Sequence, residues 1–301
     1  MSGHPASPLT WRDGLLALVV MAVWGTNFVV IKFALGVLPP LLFASLRFLL
    51  VVFPAVFFLK RPAVPVHHLA AYGVLIGAGQ FGLLYIAMTG YISPGLASLV
   101  VQTQVVFTIG LSMIFTGDRI RAFQIGAVLL AGAGIVVIAT HAHGSATPLG
   151  LMLVIGAALS WAGGNVVARL GGRVNMLAYV VWSSLFSVPP LLALSLFFEG
   201  PAAIATGLSH LDAMVLAAVV WQSAGNTMFG YSLWAWLLSR HPAATISPMA
   251  LLVPVFGMSA SAVLLDEPLQ DWKLLAAALV LGGLAVNFFW PLLQARRAVH
   301  R

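Results

Sequence analysis

The sequence has no cysteine and very few charged residues. Among its 301 residues, only 7% are Asp, Glu, Lys or Arg. The lack of cysteine excludes disulfides, thiol catalysis and cysteine-ligated metal sites. A soluble protein of this size needs a charged surface, so the scarcity of charge argues against a soluble protein.

Long apolar runs fill most of the chain. Hydrophobic residues make up 61% of the sequence, and the mean hydropathy is +1.04. Ten runs of about twenty residues are separated by short polar breaks, and about twenty residues span a bilayer as a helix. The runs cover residues 13–35, 40–59, 69–89, 94–115, 120–140, 149–170, 176–197, 211–237, 243–265 and 271–293. No run alternates as a barrel strand would, so the predicted fold class is an all-α polytopic membrane protein with ten transmembrane helices.

Basic residues predict the orientation of these helices, because Lys and Arg are enriched in cytoplasmic loops. With the N-terminus inside, one side of the membrane receives eleven basic residues and the other receives only Lys273. The eleven are Arg12, Lys60, Arg61, Arg119, Arg121, Arg169, Arg173, Arg240, Arg296, Arg297 and Arg301. Both termini are therefore predicted to be cytoplasmic. Because this charge is spread over separate segments, it does not indicate nucleic-acid binding.

The two halves of the chain resemble each other at two fixed offsets. An offset of 137 residues places Trp24 on Trp161 and Lys32 on Arg169. An offset of 149 covers the later spans. It aligns Ser98 with Ser247, Val106-Phe107 with Val255-Phe256, Asp118 with Glu267 and Gly134 with Gly283. The twelve additional residues fall naturally in the long loop around Glu199 to His210.

Each half contains five spans, an odd number, so the second half is inserted upside down relative to the first. We predict one five-helix repeat over residues 12–144 and another over 145–294, with cytoplasmic tails at 1–11 and 295–301. Inverted repeats are typical of transporters that expose a central site to each side of the membrane in turn. The alternative is a duplication that serves only folding.

Several motifs resemble an EamA domain of the drug/metabolite transporter superfamily. They are Trp24-Gly25-Thr26-Asn27-Phe28, Lys32, Arg47-Phe48 and Gln124-Ile125-Gly126 in the first half, and Trp161, Arg169, Ser247-Pro248, Pro254, Asp266-Glu267-Pro268 and Gly282-Gly283 in the second. The chain is most similar to the ten-helix bacterial amino-acid exporters. The resemblance implies a central cavity surrounded by the third, fourth, eighth and ninth helices. The chain departs from the repeat pattern of the family at two positions: Ser184 stands opposite Arg47, and Val105 stands opposite Pro254.

Polar and aromatic side chains within the spans are candidates for binding a small zwitterion. Gln222 and Asn226 lie four residues apart, which places them on one helical face that Phe229 continues. The other candidates are Gln80, Tyr85, Gln102, Trp161 and Asn165. The alternative interpretation is that these amides hydrogen-bond neighbouring helices together.

Two basic residues and two prolines within the spans have further candidate roles. Lys32 and Arg47 either extend to the external interface or attract a substrate carboxylate and gate the cavity. Pro248 and Pro254 remove two backbone donors from the ninth span and predict a kinked or unwound helix near the binding site.

The acidic residues distinguish between transport mechanisms. All seven lie in loops or at span ends: Asp13, Asp118, Glu199, Asp212, Asp266, Glu267 and Asp271. Proton antiporters for cationic drugs depend on a carboxylate within the membrane. We therefore predict an exporter of small neutral or aromatic amino acids and related metabolites, without a proton site of its own. The alternatives are a drug efflux antiporter and a membrane-embedded enzyme.

The spans contain no well-buried Asp, Glu, His or Cys cluster that would serve catalysis or bind a metal. We expect no cofactor and no metal. The expected partners are a small-molecule substrate and the lipid bilayer of the bacterial inner membrane, with no nucleic acid. A monomer is compatible with the sequence.

Overall fold

A computed structural model describes residues 10–116, 121–141, 144–172, 174–241 and 246–299. Asp118, Arg119, Arg173 and Arg301, which entered the charge and repeat arguments, lie outside the described residues.

The described residues form ten long helices, one in each predicted span. They are α1 Trp11–Ala34, α2 Pro40–Val52, α3 Val66–Met88, α4 Pro94–Phe115, α5 Ala122–His141, α6 Pro148–Leu170, α7 Met176–Leu194, α8 213–240, α9 247–264 and α10 Asp271–Val299. Eight spans in the described part of the chain are long and apolar enough to cross a membrane. The remaining two are α9, whose apolar part is shorter, and α8, whose centre is polar. The predicted all-α fold with two five-helix halves is confirmed.

Side-chain caps fix where several helices begin. Thr10, Thr147, Asn175 and Asp212 precede α1, α6, α7 and α8, and each accepts a hydrogen bond from a backbone N–H in the first turn. Such caps satisfy donors that the helix itself leaves without partners. Proline begins α2, α4 and α6, where its missing N–H costs nothing.

Irregular turns lie at equivalent places in the two halves. The third helix of each half contains a π-helical segment, at Leu75–Gly82 in α3 and at Trp221–Phe229 in α8. The fourth helix of each half contains a 3₁₀ segment, at Val101–Thr103 in α4 and at Ser247–Leu251 in α9. π-helical turns within α-helices are rare and frequent at functional sites. Because π-helical segments occur at equivalent places in the two halves, α3 and α8 are the helices expected to contribute to the functional site.

Glycine and serine bring α3 and α7 into close contact. A Cβ atom added at Gly77 would overlap the Ser187 side chain, and one at Gly73 would overlap the Ser183 carbonyl. The Ser187 hydroxyl donates to the Gly73 carbonyl at 2.8 Å. Small residues at such crossings let helices in a membrane approach closely and hydrogen-bond directly.

The two ends of the helix bundle differ in how they are closed. We name the end where α1 begins and α10 ends the terminal end, and the other the opposite end. At the opposite end, Glu199 accepts hydrogen bonds from the backbone N–H groups of Leu41 and Leu42, at 2.6 and 3.1 Å. Glu267 accepts one from the Gly95 N–H and forms an ion pair with Lys273, both at 3.0 Å. These carboxylates join the two halves at helix N-termini, where negative charge is favourable.

Candidate functional site

The centre of the site is Arg47, a basic residue on α2 that is 1% exposed. Its two terminal nitrogens donate to the Tyr85 hydroxyl at 3.0 Å and to the Thr227 hydroxyl at 2.9 Å. The guanidinium carbon lies 3.7 Å from the centre of the Phe81 ring, which is cation–π distance. The guanidinium is therefore held by α3 and α8, each of which contains a π-helical segment.

A buried hydrogen-bond network surrounds this guanidinium. The Gln222 side chain accepts from the Tyr85 hydroxyl at 3.2 Å and donates to the Asn27 side-chain oxygen, Oδ1, at 2.7 Å. The Ser223 hydroxyl donates to the backbone carbonyl of Arg47 at 2.8 Å. The network thus joins α1, α2, α3 and α8, and contacts within it strengthen each other in a low-dielectric interior.

The π-helical segment of α8 decides which side chains face this network. A π-helix bonds residue i to i+5, so each turn holds about one residue more than an α-helical turn. Gln222 and Asn226 remain buried, at 0% and 6% exposed. Phe229 instead lies on the outer side of α8, where it is 45% exposed. Trp221, at the start of the same π-helical segment, is 37% exposed. The sequence argument placed Phe229 on the Gln222 face because it assumed regular α-helix.

Arg47 forms no ion pair with a carboxylate among the described residues. Among these residues Glu267 forms an ion pair with Lys273 and the Asp13 carboxylate contacts the His241 imidazole, both at helix ends. The Nε atom of Arg47 has no hydrogen-bond partner among the described residues. A charge buried in this way is costly unless it is paired, so the guanidinium is suited to a negatively charged ligand.

A small cavity of about 10 Å³ lies against Arg47. That volume is close to the minimum for one water molecule. Its lining comes from α2, α3, α7 and α8 and consists of Arg47, Phe48, Tyr72, Gly73, Ile76, Phe81, Val180, Ser183, Ser184, Ser187, Thr227 and Tyr231. Ser184, which stands opposite Arg47 in the repeat, thus faces the same cavity. An amino acid does not fit there in this conformation.

Other predicted site residues lie apart from the network. Gln80 is buried and its Oε1 atom has no hydrogen-bond partner among the described residues. Gln102 donates to the Ala250 carbonyl at 3.4 Å, between the 3₁₀ segments of α4 and α9. The backbone carbonyl of Asn226 accepts from the Trp24 indole at 3.1 Å.

A larger cavity of about 420 Å³ opens at the terminal end between α4, α5 and α6. It is lined by Thr108, Ile109, Ser112, Met113, Arg121, Gln124 and Arg169. At its edge, Asn165 donates to the Gln104 side-chain oxygen at 2.9 Å and to the Thr108 hydroxyl at 3.3 Å. Trp161, one turn from Asn165 on α6, is half-buried against the core.

Lys32 and the two prolines have local structural roles. The Lys32 ammonium donates to the carbonyls of Met88 and Thr89, at 3.2 and 3.3 Å, which caps the end of α3. Pro248 lies in the 3₁₀ segment of α9, and Pro254 lies in the first turn of the α-helix that follows. The predicted irregularity in the ninth span is therefore a 3₁₀ segment.

Sequence reasoning missed several residues around Arg47, chiefly Asn27, Thr227, Ser183 and Tyr231. Asn27 could have been identified from the sequence, because it belongs to the Trp24 to Phe28 motif. Single Ser, Thr and Tyr residues are common in membrane helices, and no spacing in the sequence distinguishes those that meet a guanidinium.

The sequence profile of the EamA-like transporter family matches residues 13–140 and 148–289. The chain belongs to the EamA-like transporter family. Because this family transports substrates, this member is a multi-pass membrane transporter and not an enzyme.

Curated relatives of this EamA-like transporter match nearly its full length. A protein of Escherichia coli K12 named a probable amino-acid metabolite efflux pump is 39% identical, covering 96% of this chain and 98% of that protein. A Salmonella typhimurium LT2 protein of the same name is 41% identical, covering 92% and 95%. A solved crystal structure with 19% identity has a TM-score of 0.63 and covers 93% of this chain and 96% of its own, which shows the same fold.

Proposed function

We propose that this EamA-like transporter exports small neutral or aromatic amino acids from the cytoplasm across the bacterial inner membrane. The two relatives above, which match nearly the full length, carry names that refer to amino-acid metabolite efflux. The eleven-to-one distribution of basic residues supports cytoplasmic termini. With that orientation, the terminal end faces the cytoplasm and the opposite end faces outward.

The burial of the Arg47 charge is the main observation in support of this proposal. It is a permanently charged side chain, 1% exposed, without an acidic partner among the described residues. An amino-acid carboxylate supplies the missing negative charge and matches the forked donors of a guanidinium. Gln222 and Tyr85, which already contact each other beside Arg47, offer hydrogen bonds to the rest of a zwitterion. The aromatic ring of Phe81 offers an apolar surface to the substrate side chain.

The arrangement of cavities supports loading from the cytoplasm. The opposite end is closed by the bonds of Glu199 and Glu267, whereas the terminal end has an open cavity of about 420 Å³. Arg121, whose side chain is exposed, lines this cavity and gives its entrance a positive charge for a carboxylate. Because the space beside Arg47 is small here, substrate binding requires α2, α7 and α8 to separate. Alternating access between the two repeats, which we assign to residues 12–144 and 145–294, supplies that movement.

Energy coupling is proposed to need no proton-carrying side chain. The described carboxylates all lie in loops or at helix ends, where those of Asp13, Glu199, Asp212 and Glu267 accept hydrogen bonds from backbone or side-chain groups. A neutral amino acid then moves down its own concentration gradient.

Counterflow into proteoliposomes tests this function, with each of the twenty amino acids as the labelled substrate. We expect Arg47→Met to weaken the apparent affinity about 10- to 100-fold, because hydrogen bonds to charged groups contribute about 1.5–3 kcal/mol. Arg47→Lys keeps the positive charge but loses the forked donors of the guanidinium. Its apparent affinity should therefore lie between those of the wild type and of Arg47→Met. Lys60→Met, which removes a positive charge from an exposed loop position, serves as the matched control. Wild-type affinity in a folded Arg47→Met protein would refute the role of Arg47.

A further inference from the structure

A groove of about 530 Å³ lies between α5 and α10 at the terminal end, separate from the network around Arg47. Arg121 and Trp290 lie at one end of it, because α5 begins and α10 ends on that side. The rest of the lining is apolar and consists of Ala122, Phe123, Gly126, Leu130 and Val286. From Arg121 to Leu130 the groove follows α5 for about 14 Å at the helical rise. It is long and narrow, and it runs from the membrane interface into the apolar region.

The glycines of α5 and α10 show where the two helices touch and where they part. A Cβ atom added at Gly283 of α10 would overlap the Ala127 carbonyl, and one added at Gly134 of α5 would overlap Val280. Nearer the terminal end, a Cβ atom added at Gly126 would meet no atom within 4 Å, although Gly126 is half-buried. The groove is therefore open space beside a tight helix contact, and no described side chain fills it.

Arg121 places a positive charge at the terminal end of the groove. Its side chain is exposed and forms no ion pair among the described residues. The described lining of the groove contains no acidic residue. Trp290 at the same end is 43% exposed, and tryptophan is enriched where a membrane protein meets the lipid headgroups. An apolar groove with a basic end at the interface complements a lipid that has an apolar chain and a negatively charged headgroup.

We propose that this groove binds one anionic phospholipid. An acyl chain lies along Gly126, Leu130 and Val286, and the headgroup phosphate pairs with the Arg121 guanidinium, whose forked donors match phosphate oxygens. In the orientation that the basic residues support, the terminal end faces the cytoplasm. Basic pockets between transmembrane helices on that side bind phosphate-bearing lipid headgroups. This site goes beyond the proposed transport function, since its ligand is a lipid and not the substrate.

Native mass spectrometry of the detergent-solubilised protein measures this binding. The full chain is mixed with equal amounts of phosphatidylglycerol and phosphatidylcholine that carry the same acyl chains. We expect the monomer to retain one phosphatidylglycerol in preference to phosphatidylcholine. Arg121→Gln should lower that preference about fivefold, because one basic residue near the surface of an anionic membrane contributes about 1 kcal/mol. Arg12→Gln is the matched control, since Arg12 is also exposed at the terminal end but does not line the groove.

Gly126→Leu tests the apolar part of the groove alone, which matters because Arg121 also lines the larger cavity. The leucine side chain would occupy the space of the acyl chain, so bound phosphatidylglycerol should fall at least fivefold. Gly132→Leu is the matched control. Gly132 lies on the same helix, is exposed and also has no atom within 4 Å of an added Cβ, but it does not line the groove. Gly132→Leu should retain the lipid as the wild type does.

Three results would overturn the lipid site. They are equal retention of the two lipids by the wild type, an equal loss of preference in Arg121→Gln and Arg12→Gln, and wild-type retention in Gly126→Leu. A lipid-free dimer that Gly126→Leu dissociates would assign the groove to a second copy of the chain and would also overturn it. If Gly126→Leu does not fold, the comparison of the two arginine variants decides, because both positions are exposed. No substrate enters the measurement, so a negative result leaves the proposed function unchanged.

Discussion

Replacing Glu267 by Gln should open the opposite end of the transporter. The Glu267 carboxylate accepts hydrogen bonds from the Gly95 N–H and the Ser93 hydroxyl and pairs with the Lys273 ammonium. The side chains of the ion pair are 9% and 1% exposed, so the change leaves the Lys273 charge buried without its partner. Breaking a buried ion pair by removing one partner costs about 3–5 kcal/mol.

That cost falls on the closed conformation, which is the one that contains the pair. Taking the lower value of about 3 kcal/mol, and about 1.4 kcal/mol for each factor of ten, the open population rises about 100-fold. The glutamine amide keeps part of the hydrogen bonding, so an increase of tenfold or more is the expected result.

Thiol labelling measures this change directly, because the chain has no cysteine of its own. Ala97→Cys introduces one thiol at a position that is 0% exposed, two residues from Gly95. A membrane-impermeant maleimide added on the side of the membrane that the opposite end faces should label it at least tenfold faster when Glu267→Gln is present.

Asp266→Asn provides the matched control for this experiment. Asp266 lies in the same loop, is exposed, and has a φ of 52°, a conformation that Asn tolerates. The control should label at the wild-type rate. If Glu267→Gln also labels at that rate, Glu267 does not hold the opposite end closed.

Three further predictions concern topology, binding and coupling. Reporter fusions at Arg301 and near Gly144 should read inside and outside respectively, since five spans separate Gly144 from each terminus, and identical readings would invalidate the span count. Gln222→Ala and Asn226→Ala should each lower transport several-fold, since a buried hydrogen bond contributes about 1 kcal/mol, while size-exclusion profiles stay normal; full transport of every wild-type substrate would assign both amides to helix packing. Purified protein should accumulate labelled amino acid by counterflow at symmetric pH, and strict dependence on an imposed pH step would contradict coupling without a proton-carrying side chain.

The positions of the helices could be predicted from the sequence because they depend on local composition. A run of about twenty apolar residues specifies a span whatever its neighbours are. The start of α8 illustrates this, since Asp212 lies at the beginning of the apolar run and its side chain caps the helix. Arg47 could also be identified as a candidate from the sequence, because a basic residue within an apolar span is unusual.

The remaining part of the site depends on contacts between distant segments. Asn165 was a candidate for binding substrate, but the structure pairs it with Gln104 of α4. Phe229 leaves the Gln222 face because α8 widens to a π-helix, and the spacing of polar and apolar residues does not indicate that turn. Thr227 meets Arg47 across 180 residues of chain, a pairing that only the folded arrangement of the helices determines.

The hydrogen bonds between the halves have a consequence for how the protein is made. Arg47 enters the membrane 180 residues before Thr227, and Gly95 precedes Glu267 by 172. At a synthesis rate of about 5–20 residues per second, Arg47 waits about 10–40 s in the bilayer before Thr227 is translated. During that interval the first five helices contain a guanidinium without one of its partners and an α4 N-terminus without its carboxylate. We therefore expect the N-terminal half, made alone, to be less stable than the full chain.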